Sequence, residues 1–219
     1  QLRTLFEWAT RRAGKTVWVE RSGGTLAQLP ELLELFPNAR FLHLHRDPFD
    51  VARSMKKHNH MRLFALQHYG LTTEDGLSWA DLDETDLNDD GPMSARLQSL
   101  FDLDVPLEIF LRDWNEMVLR GFASVKRLGV EQYSEVSFED LQTDPESVLR
   151  HIVEFFDLPG DDAWMKEAVG LLTPGKAGRA TPSPQEAETV RTHCHPALVL
   201  LDREVSRPSA GNQFSRDDA

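Results

Sequence analysis

VWVERSGGTLAQL, residues 17–29, is an apolar triplet that runs into a Gly-Gly turn and then into helical spacing. A strand that turns this way into a helix presents the unpaired N–H groups of the first helical turn, and adjacent glycines let an anion approach the backbone. Arg21, Ser22, Gly23, Gly24 and Thr25 are therefore a candidate phosphate cradle. Neither G-x-x-x-x-G-K-[ST] nor G-x-G-x-x-G is present, so a plain turn stands as the alternative. Leu26, Leu29, Leu32, Leu33 and Phe36 mark an amphipathic helix that stops before Pro37. RFLHLHRDP then reads as a second strand, apolar on both faces. Strand, helix and strand in this order predict a βαβ unit and a parallel sheet with a right-handed crossover. Ligands of such sheets bind beyond the carboxyl ends of the strands, which places residues 20–24 and 45–48 on one side.

The chain has 219 residues, 40% of them hydrophobic, enough for one α/β domain with a substantial core. A net charge of −12 opposes nonspecific binding to nucleic acid or an anionic membrane, so an anionic ligand must meet clustered Arg and Lys. A single cysteine, Cys194, forms no internal disulfide and suits a reducing, cytoplasmic setting. No run of about 18 apolar residues predicts a membrane span.

Elsewhere, residues 2–13 have helical spacing with Gly14 as a stop, and residues 50–69 read as one basic helix with Arg53, Lys56, Lys57, Arg62 and three histidines. Residues 70–105 are crowded with Asp and Glu and are expected to form an acidic loop or lid rather than a core element. A long helix over 107–128, interrupted near Gly121, precedes a strand, EQYSEVSF. Asp144 and Pro145 then have the N-cap and first-position chemistry of a helix start. A loop holding GKAGR and a last helix over 185–204 complete the pattern. His193, Cys194 and His195 are adjacent, and three adjacent side chains do not converge on one metal ion, so no metal site is expected. The tryptophans at 8, 18, 114 and 164 are expected in the core.

The densest chemical signal is HLHRDPFDVARSM, residues 43–55. Arg46 stands where the strand ends and Ser54 lies on the next helix. A guanidinium and a hydroxyl directed at one point hold a phosphate through charge-assisted hydrogen bonds. The alternative is that Arg46 pairs with Asp47 or Asp50 and Ser54 faces solvent.

RDPFDVARSM after an apolar strand, followed later by SFEDLQTDPE, resembles the sulfotransferases that use 3′-phosphoadenosine 5′-phosphosulfate (PAPS). WVERSGG with LFPNARFLHLHRDP is most similar to their actinobacterial branch. The resemblance spans residues 17–164 and implies a three-layer, P-loop-like α/β fold, its central parallel sheet flanked by helices. It implies one domain over 1–205, with 206–219 as a polar tail. Arg46 and Ser54 would bind the 3′-phosphate, Phe138 would contact the base at the family's usual Tyr position, and Lys176 and Arg179 would stand for a later phosphate-binding loop.

The family's 5′-phosphosulfate turn is matched here only by RSGGTL, unusually close ahead of Arg46. The expectation is that the family's loop lies before Gln1, RSGGTL in its place being the alternative. Arg21 would then supply charge near the sulfuryl group, and Glu20, His58 and His60 are candidate bases. The implied reaction moves the sulfuryl group of PAPS to a hydroxyl of a small-molecule, lipid or carbohydrate acceptor, leaving adenosine 3′,5′-bisphosphate (PAP), without a metal. A nucleotide-dependent kinase and a non-catalytic nucleotide-binding module are the rival readings. Nucleic-acid partners are not expected, and a homo-oligomer is left open.

Overall fold

In the computed structural model, residues 2–87, 92–172 and 181–205 are described, with side chains of the last helix to Leu201. The elements are α1 (Leu2–Arg12), α2 (Leu29–Leu35), β1 (Phe41–His45), α3 (Pro48–Lys57), α4 (Asn59–His68), α5 (Ala95–Phe101) and α6 (Leu107–Val125). They continue as β2 (Tyr133–Ser137), α7 (Phe138–Thr143), α8 (Pro145–Phe155), α9 (Asp162–Leu171) and α10 (Pro184–Val205). The described residues divide into two compact units, one within Gln1–Arg46, Glu116–Gly178 and Pro196–Ala219, the other within Asp47–Asn115 and Arg179–His195.

The first unit is organised by β1 and β2, which pair in parallel from Phe41 opposite Tyr133 to His45 opposite Ser137. Parallel pairing was the expectation, but the partner differs. Residues 17–22 form no strand, so the predicted βαβ unit through VWV is absent. A strand gains its stability from ladder bonds and cross-strand neighbours, and the triplet uses its tryptophan otherwise. Trp18 stacks on Phe6 at 4.3 Å and meets Phe36 edge-on at 5.3 Å, while Val17 and Val19 remain exposed. Proline at its start splits the predicted second helix into a 3₁₀ turn, Thr25–Gln28, and the short α2. Beyond the sheet, Asp144 caps α8 by accepting from the Ser147 amide at 3.3 Å, with Pro145 at the first position as expected.

In the second unit Phe110, Leu111 and Leu100 are fully buried beside Ala65, Leu66 and Trp114. The basic stretch over 50–69 is two helices, because His58 takes an extended conformation between them, φ −94° and ψ 120°. The acidic segment over 70–105, expected to lack core elements, contains α5, capped by Ser94 and burying Leu100. Its carboxylates hid an apolar spacing of Leu97, Leu100 and Phe101. Cations fasten it down: Arg96 reaches Asp86 at 2.7 Å and the Asp81 carbonyl at 2.6 Å, and Lys56 reaches Asp104 at 2.6 Å. Of the tryptophans, Trp114 is core as expected, whereas Trp8 and Trp164 are about half exposed. No described helix is long and apolar enough to cross a membrane.

Candidate functional site

The register of the two strands builds the site. His45 is opposite Ser137, so the next residues along each strand, Arg46 and Phe138, leave the carboxyl ends of the sheet side by side. The Arg46 guanidinium lies over the Phe138 ring, 4.7 Å from its centroid. Such a cation–π contact contributes about 0.5–1 kcal/mol and orients a long side chain that would otherwise sample many rotamers. Ser137 fixes the other partner: its hydroxyl accepts from the Asp140 amide at 2.9 Å and starts α7, with Phe138 in the first turn.

Strand alternation places a polar row on one face of the same sheet. His43 and His45 project with Tyr133 and Glu135, since their positions share the pairing phase. Tyr133 donates to Glu135 at 3.2 Å, and His43 Nδ1 lies 3.1 Å from the Tyr133 hydroxyl and 3.8 Å from the Glu135 carboxylate. The side chains of His43 and Glu135 are only 14% and 12% exposed. Phe122 on α6 closes the row from above, its ring edge-on to His43 at 6.0 Å and to Tyr133 at 6.3 Å. By sequence, HLH is only part of an apolar strand. Its i, i+2 histidines facing the Tyr and Glu of YSE are the signal that could have found this row.

His45 sits at the end of that row, and burial together with His43 holds its imidazole below the ordinary value, against the opposing pull of Glu135, Glu139 and Asp140. The fold therefore prefers neutral His45. The unfolded chain takes up this proton near 6.5 and the folded chain only at lower pH, so the unfolded state binds more protons as pH falls. His45 thus contributes stability that is complete above about pH 6.5 and is lost as pH drops through the folded-state value. Urea unfolding is expected to show a lower midpoint at pH 5.5 than at 7.5, and His45→Gln is expected to reduce that difference.

The profile of the sulfotransferase family matches residues 2–88 and 92–162, well over half of the sequence. The chain belongs to the sulfotransferase family. Among solved structures, sulfotransferase STF9 from Mycobacterium avium is similar to it in fold, with a TM-score of 0.51 at 19% identity. The match covers 86% of this chain but 41% of that one, so the present chain spans about two fifths of that protein's length. No curated protein matches. The expected α/β class holds, with helices around a parallel pair of strands among the described residues.

Within this sulfotransferase-family chain, the residues singled out by sequence fall in different places. Arg46 and Phe138 come together in the first unit. Ser54 is exposed on α3 of the second unit, whose start is fixed by Asp47 accepting from the Phe49 and Asp50 amides at 2.9 and 3.2 Å. Glu20 and Arg21 are exposed in the first unit, and the Glu20 carboxylate accepts from the Thr25 hydroxyl at 3.2 Å. His58 is exposed at the start of α4, its ring 5.7 Å from that of His60. Lys176 and Arg179 lie outside the described residues. The Gly-Gly pair leads into a turn rather than directly into an α-helix. A Cβ on Gly23 or Gly24 would meet nothing within 4 Å, and the next element is a four-residue 3₁₀ turn, Thr25–Gln28. Cys194 is buried, donates to the Leu111 carbonyl at 3.5 Å, and has its thiol pushed up to about 12 by burial, so it is poorly suited to thiolate chemistry.

Proposed function

We propose that this chain is a sulfotransferase that takes its sulfuryl group from PAPS, and that Arg46, Phe138 and Ser54 belong to its binding of the donor nucleotide. The observation that carries the reading is the Arg46–Phe138 pair at the carboxyl ends of two parallel strands, in a chain of this family. A guanidinium offers a planar fork suited to phosphate, and an aromatic face beside it suits a purine. Neighbouring side chains thus offer the two chemistries that a nucleoside bisphosphate asks for, at the carboxyl ends of parallel strands, where α/β folds bind their ligands. Ser54 supports it through the R-D-P…S pattern of residues 46–54.

PAPS supplies an activated sulfuryl group, whose S–O bond to the 5′-phosphate breaks as the acceptor oxygen bonds to sulfur. The chain's own tasks are to hold the nucleotide, to place positive charge where negative charge develops on the oxygens around the transferred sulfur, and to accept the hydroxyl proton. Arg21 is assigned the charge, and Glu20 and His58 are the candidate bases. The acceptor is a hydroxyl of a small molecule, lipid or carbohydrate.

Isothermal titration with PAP tests the donor assignment. Arg46→Ala is expected to weaken binding about 10- to 100-fold, as for loss of a charge-assisted contact of about 1.5–3 kcal/mol. Ser54→Ala is expected to weaken it severalfold. Unchanged affinity in both variants would sink the site. Transfer of radiolabelled sulfate from PAPS to a pool of hydroxylated acceptors separates the enzyme from a binding module, which would bind PAP and transfer nothing.

A further inference from the structure

The second unit carries a groove of about 660 Å³ that the donor site does not use, lined by Arg53, Lys56 and Lys57 of α3, Asn59 and Arg62 of α4, and Met93, Gln98, Phe101 and Asp102. Four cations against one carboxylate make this lining positive, in a protein whose net charge is −12. Helix electrostatics explain part of it, since Lys56 and Lys57 fall in the last turn of α3, where positive charge is favoured. They do not explain why Arg53 and Arg62 converge on the same space.

Arg62 is held there by main-chain carbonyls. It donates to Leu103 at 2.6 Å, to Lys56 at 3.3 Å and to Phe101, so main-chain acceptors fix its charge in place, and the Asp104 carboxylate acts on it electrostatically. Lys56 is tied to Asp104, and Asp102 accepts from Gln98 at 2.8 Å. Arg53 lies over the Phe49 ring, 5.5 Å from its centroid. Among the described residues Lys57 has no carboxylate within ion-pair distance, and Arg53 has none at that range, although the Glu186 carboxylate interacts with it electrostatically. Phe101 and Met93 add apolar surface to this positive lining. A space of this size suits a ligand of one or two rings, and an acidic molecule that keeps a local basic groove concentrates anions there.

We propose that this groove binds a small anionic ligand through its carboxylate or phosphate, with Arg53 and Lys57 of α3 as the cations that recognise it.

Titration with glucose 6-phosphate, glucuronate and uncharged glucose tests the assignment, in wild type, Lys57→Gln, Lys57→Glu and Arg53→Lys. Both anions are expected to bind, severalfold more weakly at high salt, while glucose does not. Lys57→Gln is expected to weaken anion binding about fivefold and Lys57→Glu more, with Arg53→Lys retaining most of it and PAP affinity unchanged throughout. Binding of only one anion fixes its chemistry as phosphate or carboxylate. Equal anion affinity in wild type and Lys57→Glu overturns the proposal, as does binding no tighter than glucose. A loss of PAP affinity in Lys57→Gln matching that of Arg46→Ala also overturns it, by making the groove part of the donor site. Failure of PAP to bind wild type removes the donor reading alone, because the anion titrations are read without the nucleotide.

Discussion

Phe122→Ala is expected to destabilise the first unit by about 3–5 kcal/mol, the range for removing a fully buried aromatic ring and leaving a partly unfilled cavity. Phe122 has no exposed surface and lies on the α6 face that also buries Val118 and Val125. Its ring meets both His43 and Tyr133 edge-on, and aromatic contacts of this kind add to the burial. A loss of that size is a large part of the roughly 5–15 kcal/mol that holds a typical domain together. The melting temperature of a chain of this length should fall by roughly 10 °C. The cavity also lies against the row of His43, Tyr133 and Glu135 beneath the strand ends, so PAP affinity should fall in the folded variant as well. Phe122→Leu keeps much of the volume and is expected to cost far less. Equal melting temperatures for Phe122→Ala and wild type would show that the ring does not hold this face.

How far the sequence announced this structure depends on which interaction decides each element. Asp144 and Pro145 were readable because a cap and a fixed proline φ act within one turn. Gly14 likewise ends α1 with φ +64°, which a residue without Cβ adopts at little cost. VWV misleads because its local pattern is that of a strand, whereas Trp18 is recruited by Phe6 and Phe36 from distant positions. The break at His58 has no proline or glycine to announce it. Arg62, one turn later, is drawn to carbonyls at the end of α5 and just beyond it, an arrangement that exists only when the second unit is packed.

The candidate site divides in the same way. Arg46 could be singled out because R-D-P at a strand end is a dense local signal, and Phe138 only because SFEDL stands where the resembled family carries Tyr. Their contact was not legible, since it depends on a parallel register between positions far apart in the chain. The polar row around His43 was invisible for the same reason. Alternation assigns residues to a face of a strand, but the partner strand decides whether that face gathers tyrosine and glutamate or apolar side chains. The cationic groove needed still more, because its residues come from two helices and an acidic segment in which no core element was expected.

Gly121→Ala gives a test in which two local arguments predict opposite signs. In a helix interior, alanine is favoured over glycine by about 1 kcal/mol, so propensity alone predicts a more stable protein. Gly121 lies inside α6, continuous through this position rather than interrupted there as the sequence suggested. A Cβ at this position would sit 2.3 Å from Leu26 Cγ, 2.5 Å from its Cδ1 and 2.8 Å from its backbone carbonyl oxygen. The leucine end could rotate away, but the carbonyl belongs to the 3₁₀ turn over Thr25–Gln28 and moves only with that turn. Overpacking of this kind costs about 1–3 kcal/mol and occasionally more, which exceeds the propensity gain. Gly121→Ala is therefore expected to lower the denaturant midpoint. Gly121→Val should lose more than about 3 kcal/mol, because it adds two further carbons where one does not fit and is a poorer helix former than alanine. Leu26→Ala costs stability by itself, so the pair must be read as a double-mutant cycle. If the contact sets the sign, Leu26→Ala should be less harmful in the Gly121→Ala background than in wild type. Additivity of the two substitutions, or a midpoint raised by Gly121→Ala, would mean that propensity decides and that α6 does not pack this closely on the turn just after Glu20 and Arg21.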